Sequence, residues 1–121
     1  MKLTASVFCA ILAEMKAREQ SALDEYTRTL HARYPRHVER VVLFGSQAMG
    51  SAREGSDVDV LVIVDHGGRQ LKNEITDLAF DMMLKYSVDI EPAIFSREEW
   101  ARFTAAPTSF AHTVEREGRE L

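Results

Sequence analysis

The chain has little cysteine, no long apolar run and no excess of basic residues, and each of these features defines a class of proteins. Its 121 residues include one cysteine, Cys9, so no internal disulfide can form, and a single thiol fits a reducing compartment. No apolar run approaches the ~20 residues needed to span a bilayer. The apolar start from Leu3 to Ala13 passes into charged residues with no cleavage signal, which favours an amphipathic helix over a signal peptide. We therefore expect a cytoplasmic protein without a membrane partner.

Positive charge is also scarce, with 15 lysines and arginines against 19 acids and a formal net charge of −4. No run of basic residues occurs, whereas a protein that holds nucleic acid through its phosphates normally presents a basic face. The composition therefore argues against a polynucleotide partner. The length suits one domain over residues 1–121, with little room for a separate substrate lobe.

What the chain does contain is an alternation of helical and strand patterns. Short apolar runs predict strands, and apolar residues at helical spacing predict helices. The expected strands cover 41–44, 57–64 and 88–95, and the expected helices cover 4–34, 70–85 and 96–118. This order predicts an α/β (α+β) class, with a small mixed sheet of three to four strands flanked by helices.

The sequence also predicts structural roles for several single residues. Ser96 and Glu99 have the spacing of a capping box that opens a helix. Trp100 is expected to be a core or interface anchor, and Met82 and Met83 to be core residues. The histidines show no ligand spacing and are expected to be surface or hydrogen-bonded residues: His31, His37, His66 and His112. The first helix exceeds what so small a domain can cover, which suggests a homo-oligomer or a partner surface.

Gly45-Ser46 follows a predicted strand directly. Glycine lets the backbone approach a ligand closely, and free N–H groups together with the serine hydroxyl can bind a phosphate. Such a pair is more often a simple turn, so it indicates a nucleotide site only with further support. A P-loop is excluded because no Gly-Lys-Ser/Thr occurs.

Asp57-Val58-Asp59 opens the next predicted strand. Strand residues two apart point to one face, so the two carboxylates project together and repel each other unless a cation lies between them. Mg²⁺, a hard ion bound by carboxylates and phosphate oxygens, is the natural candidate. A third acid lies on the following strand, where Asp89 and Glu91 share a face; we favour Asp89, and the sequence leaves the choice open.

Taken together, these residues resemble the minimal nucleotidyltransferases of the DNA polymerase beta superfamily over roughly Leu23–Trp100. The matching positions, in order, are Gly45-Ser46, Ala48, Gly50, Ala52-Arg53 and Ser56-Asp57-Val58-Asp59. Gln47 stands where the family often has arginine, which removes one expected charged contact and leaves the acids intact.

The resemblance implies the nucleotidyltransferase fold with a catalytic core at 40–95. It also implies an enzyme that transfers a nucleoside monophosphate, expected to be AMP from ATP, to a hydroxyl. Two Mg²⁺ ions would be held by Asp57, Asp59 and Asp89, and Gly45 and Ser46 would bind the nucleotide phosphates. Single-domain members are similar to antitoxins whose partner is a helical HEPN-type toxin, which implies a toxin tyrosine as acceptor. The alternatives are an aminoglycoside-like small-molecule acceptor and a non-catalytic nucleotide- or partner-binding module.

Overall fold

The computed structural model describes residues 2–45, 57–106 and 109–121, with the backbone alone described for residues 2–16. It combines helices with one sheet, as predicted. The elements in chain order are α1 (Lys2–Arg33), β1 (Val38–Phe44), β2 (Val58–Val64), α2 (Arg69–Tyr86), β3 (Ile90–Ser96), α3 (Arg97–Ala105), α4 (Ser109–Glu117) and β4 (Arg119–Glu120).

The sheet is mixed, with the strand order β3-β2-β1-β4. Strands β2 and β3 are parallel because the helix α2 carries the chain back between them, while β1 is antiparallel to both of its neighbours. As a result, β2 and β3 begin at the same end of the sheet, and β1 ends there. This end brings together segments that are far apart in the sequence.

Helices cover both faces of the sheet, which explains the almost continuous apolar run of β2. Val58, Val60 and Val62 belong to one core cluster with residues of α1 and α2. Leu61 and Ile63 belong to a second cluster with residues of α3 and α4. Alternate residues of β2 therefore serve two cores, and the central strand has almost no freedom to shift.

The first core is anchored by the contact between α1 and α2. Leu23, Tyr26 and Leu30 are buried, as their helical spacing predicted. The Tyr26 hydroxyl donates a hydrogen bond to the Ile75 carbonyl at 3.0 Å, and burial raises the pKa of this phenol. The side chains of Ile11 and Met15, which continue the same helical spacing toward the N-terminus, lie outside the described residues.

The second core confirms the capping box and the buried tryptophan. The Ser96 hydroxyl accepts a hydrogen bond from the Glu99 N–H at 3.1 Å, and Glu99 Oε1 accepts one from the Ser96 N–H at 2.9 Å. One turn on, the Trp100 side chain is buried and its indole N–H donates to Glu115 at 3.2 Å.

One core prediction is wrong. Met82 is buried, but Met83 is 36% exposed and lies with Phe80 and Leu84 among the exposed apolar side chains of α2. Neighbouring residues on a helix point about 100° apart, so a single apolar stripe accommodates only one of the two methionines.

Element boundaries also differ from the expectation. Strand β1 begins three residues earlier, at Val38, and β3 begins at Ile90, so Asp89 precedes it. The two-residue strand β4 was not predicted. Among the helices of the described chain, none has the length and apolarity to cross a membrane.

Candidate active site

Four acids lie at the end of the sheet where β2 and β3 begin. Asp57 precedes β2, and Asp59 is its second residue. The register pairs Asp59 with Glu91 on β3 and with Phe44 on β1. The Val58 N–H donates to the Asp89 carbonyl at 2.8 Å, which fixes the Asp57 and Asp89 backbones side by side. Strand pairing, and not the sequence order, therefore brings the acids together.

The acids project from one face of the sheet. Side chains alternate along a strand, so Asp57 and Asp59 lie on the side of Leu61 and Ile63, which pack beneath α3 and α4. Residues paired in a parallel sheet point to the same face, so Glu91 also lies on this side. The acids thus form the polar rim of the second core.

Three carboxylates approach closely enough to share one cation. Ligand oxygens of Asp57, Asp89 and Glu91 all lie within 4.8 Å of one another. Among the ion pairs formed by the described residues, none includes these acids or Asp59. An all-oxygen donor set with uncompensated negative charge fits Mg²⁺, which prefers one or two carboxylates together with phosphate oxygens and water.

Burial and the charges of neighbouring acids raise the pKa values of three carboxylates in the cluster. Burial, followed by the charges of Asp57 and Asp89, raises the pKa of Asp59. Burial also raises the pKa of Asp89, with further contributions from the charge of Asp57 and from a hydrogen bond to it. For Glu91, the charge of Asp57 is the largest cause of a raised pKa. Asp57 is thus the carboxylate that acts on all the others.

Gly45 lies directly against Asp59. Its φ is +76°, a left-handed conformation that glycine adopts without strain. A Cβ atom here would come within 2.5 Å of the Asp59 carboxylate oxygen Oδ2. The glycine therefore allows the backbone that leaves β1 to pass close beside an acid of the cluster. The sequence predicted a close approach at Gly45, although to a phosphate.

The structure places most of the expected site residues at this end of the sheet. Asp57, Asp59, Asp89 and Gly45 meet here, whereas Ser46 lies outside the described residues. Glu91, the open alternative to Asp89, is close to Asp57 as well. Its shared face with Asp89 was visible in the sequence, but the separation of the carboxylates depends on the strand register.

A match to a protein family establishes the class of the chain. The family model described as "Nucleotidyltransferase domain" matches residues 23–102, which include β1, β2, β3 and all four acids. The chain belongs to this family.

This nucleotidyltransferase is also similar to two proteins of Methanocaldococcus jannaschii. It is 32% identical to "Putative protein adenylyltransferase MJ0604" over 103 residues, covering 85% of this chain and 97% of the relative. It is 38% identical to "Putative protein adenylyltransferase MJ0141" over 85 residues, covering 69% and 79%.

Solved structures share the fold of the nucleotidyltransferase. A chain of a toxin–antitoxin crystal structure with AMP-PNP matches with a TM-score of 0.56 and 18% identity, over 79% of this chain and 69% of that one. A chain from a complex of tri-AMPylated Shewanella oneidensis HEPN toxin with MNT antitoxin matches with a TM-score of 0.53 and 17% identity, over 84% and 69%. The predicted family resemblance and the predicted fold are both confirmed.

Proposed function

We propose that this nucleotidyltransferase transfers AMP from ATP to a hydroxyl of a partner protein, in a reaction that requires Mg²⁺. The observation that carries the proposal is the convergence of Asp57, Asp89 and Glu91 within 4.8 Å, with Asp59 beside Gly45, in a nucleotidyltransferase domain. A chain that only bound a partner would gain nothing from gathering like charges at one end of its sheet.

Asp57, Asp59 and Asp89 are the proposed ligands of two Mg²⁺ ions. Asp89 is the third ligand that the family resemblance implies, and Glu91 remains the alternative, because ligand oxygens of Asp57, Asp89 and Glu91 all lie within 4.8 Å of one another. When bound, Mg²⁺ supplies charge neutralisation for the triphosphate and for the leaving pyrophosphate.

The residues of the chain position the reactants. Gly45 and Ser46 are the proposed contacts of the outer phosphates. The acceptor oxygen forms a new bond to the α-phosphorus, the bond from that phosphorus to the bridging oxygen breaks, and pyrophosphate leaves. The proton of the hydroxyl passes to a carboxylate, for which Asp89 is the proposed base. Catalysis of this type consists mainly of positioning and charge stabilisation.

The proposed acceptor is a tyrosine of a HEPN-type toxin, with this chain as the antitoxin. Two observations support that choice: the curated relatives are named as protein adenylyltransferases, and a fold neighbour comes from a complex with an AMPylated HEPN toxin. The domain is small, so a partner protein would supply the surface that surrounds the acceptor hydroxyl.

The test is transfer of label from α-labelled ATP in the presence of Mg²⁺. The purified chain is incubated alone, with a HEPN-type protein encoded next to it, and with an aminoglycoside, each with and without a chelator. Label on a tyrosine of the HEPN-type protein that disappears with chelator is the expected result. Label on the aminoglycoside would replace the proposed acceptor, and nucleotide binding without transfer to any acceptor would refute the enzymatic proposal.

A further inference from the structure

A second group of possible metal ligands lies at the opposite end of the sheet. His37 immediately precedes β1, and Asp65 and His66 immediately follow β2. Because β1 and β2 are antiparallel, these segments meet, and the Asp65 N–H donates to the His37 carbonyl at 2.8 Å. Asp65 follows Asp57 by eight steps of nearly extended chain, about 26 Å at ~3.3 Å per residue. The group is therefore independent of the acidic cluster.

The three side chains converge on the Asp65 carboxylate. His37 Nδ1 lies 2.9 Å from Asp65 Oδ2, and His66 Nδ1 lies 3.6 Å from the same oxygen. One ligand atom from each residue falls within 4.8 Å of the others. In a tetrahedral zinc site with bonds of ~2.1 Å, neighbouring ligand atoms are about 3.4 Å apart. The two measured separations lie on either side of that value.

A purely structural role accounts for only part of this arrangement. Asp65 Oδ1 already accepts a hydrogen bond from the His66 N–H at 2.8 Å, and Oδ2 already has His37. The carboxylate thus accepts one hydrogen bond at each oxygen without the His66 ring, which forms an edge contact with the His37 ring at 6.1 Å between centroids. The His66 side chain is 84% exposed and could extend into solvent, yet it lies beside an oxygen that is already bonded. Arg97, whose charge also reaches Asp65, is paired with Glu39.

We propose that His37, Asp65 and His66 bind a divalent transition-metal ion of the zinc class. Two imidazoles and one carboxylate form a donor set used for Zn²⁺ with an open fourth position, whereas Mg²⁺ prefers oxygen ligands. A cavity of about 500 Å³ adjoins the group and is also lined by Arg33, Tyr34, Leu71 and Glu74, which leaves room for water or a small ligand. The ion would join the α1–β1 connection to the β2–α2 connection.

The test is a calorimetric titration of the full chain with Zn²⁺, prepared without a polyhistidine tag and in buffer saturated with Mg²⁺. The expected result is one Zn²⁺ per chain and a higher Tm. His37→Asn and His66→Asn should each weaken binding by about tenfold or more, because each removes one ligand. His66→Asn changes an exposed side chain, so the variant should keep its fold, which circular dichroism verifies.

Two control variants separate this site from other sources of binding. His112→Asn replaces an exposed histidine of α4 outside the group, and Asp57→Asn disables the acidic cluster; both should bind Zn²⁺ as the parent does. The proposal is overturned if the parent does not bind Zn²⁺ at a one-to-one ratio, if both histidine variants bind with unchanged affinity, or if Asp57→Asn removes the binding.

Discussion

At the scale of single residues, Asp57 has the largest influence on the acidic cluster. Its charge contributes to the raised pKa of Asp59, Asp89 and Glu91, although the Asp57 side chain itself is exposed. A carboxylate in this position interacts with each of the other three acids of the cluster. Removing its charge should therefore weaken metal binding more than removing any isolated surface acid.

We expect Asp57→Asn to lower AMP transfer by roughly a thousandfold or more, because it removes a metal ligand and its charge without changing side-chain volume. The measurement is label transfer from α-labelled ATP, with circular dichroism to verify the fold. Asp81→Asn is the matched control, since Asp81 is an exposed acid of α2, a helix that packs on the other face of the sheet. Full activity in Asp57→Asn would move the site elsewhere.

Gly45 gives a second prediction at this scale. Gly45→Ala should destabilise the protein by about 1–3 kcal/mol, because alanine is strained at positive φ, and it should weaken Mg²⁺ binding, because the new Cβ displaces the Asp59 carboxylate. Chemical denaturation and Mg²⁺ titration measure the two effects. Gly68→Ala is the control, since a Cβ at Gly68 meets nothing within 4 Å. Equal behaviour of the two variants would show that the Gly45–Asp59 contact has no role.

At the scale of elements, the junction between β3 and α3 depends on one side chain. Ser96 is the last residue of β3 and also caps α3, so it fixes the direction in which the chain enters the helix that carries Trp100. Ser96→Ala should lower the free energy of unfolding by about 1 kcal/mol, since the cap is lost from a partly buried helix start. Urea denaturation measures the change.

Ser21→Ala is the control for this prediction. Ser21 is an exposed residue inside α1, where alanine is a better helix former than serine and no cap is lost. The expected order of stability is Ser21→Ala at or above the parent and Ser96→Ala below it. A Ser96→Ala variant as stable as the parent would contradict the assigned role of the cap.

Elements that bury a regular set of apolar side chains could be predicted from the sequence, whereas β4 could not. The run of β2 and the spacing of α2 identify them directly, because each buries a regular set of side chains. Strand β4 has only Arg119 and Glu120, whose side chains are exposed; it forms because Leu43 and Val42 pair with it. Such a strand depends on its neighbour, so local sequence contains no signal for it.

At the scale of the whole molecule, we expect metal binding and protonation to compete at the acidic cluster. The raised pKa values of Asp59, Asp89 and Glu91 mean that the native cluster retains protons that the unfolded chain has released, just above the ordinary values of 3.8 and 4.5. The stability contributed by these groups is therefore present at low pH and is lost as pH rises through their folded-state pKa values. Mg²⁺ should offset that loss by binding the ionised cluster.

We expect the rise in Tm caused by Mg²⁺ to be larger at neutral pH than near pH 4.5, the ordinary value for glutamate. Calorimetry with and without Mg²⁺ at each pH measures the difference, in which pH effects of distant groups such as Glu25 cancel. Asp57→Asn should show a much smaller rise at both pH values. A Mg²⁺ effect that is independent of pH would mean that protons and the ion do not compete for this cluster.

The sequence predicted which residues form the candidate site better than it predicted the distances between them. Asp57 and Asp59 share a face by strand periodicity alone, and Gly45 was identified as a position of close approach. The separation between Asp57, Asp89 and Glu91 depends on a pairing of β2 with β3 across the intervening helix α2, which no local pattern determines. The convergence of His37 with Asp65 and His66 was missed because it depends on the pairing of β1 with β2, which no local pattern determines either.

The arrangement of the acids and the packing of both cores depend on the register in which β2 pairs with β3. A slip of one residue would turn either Asp57 and Asp59 or Asp89 and Glu91 away from the shared face, and would also exchange the apolar sets that fill the two cores. A molecule with the wrong strand register would be loosely packed, and its four acids would not converge. Activity of this small enzyme therefore requires the native register of β2 and β3.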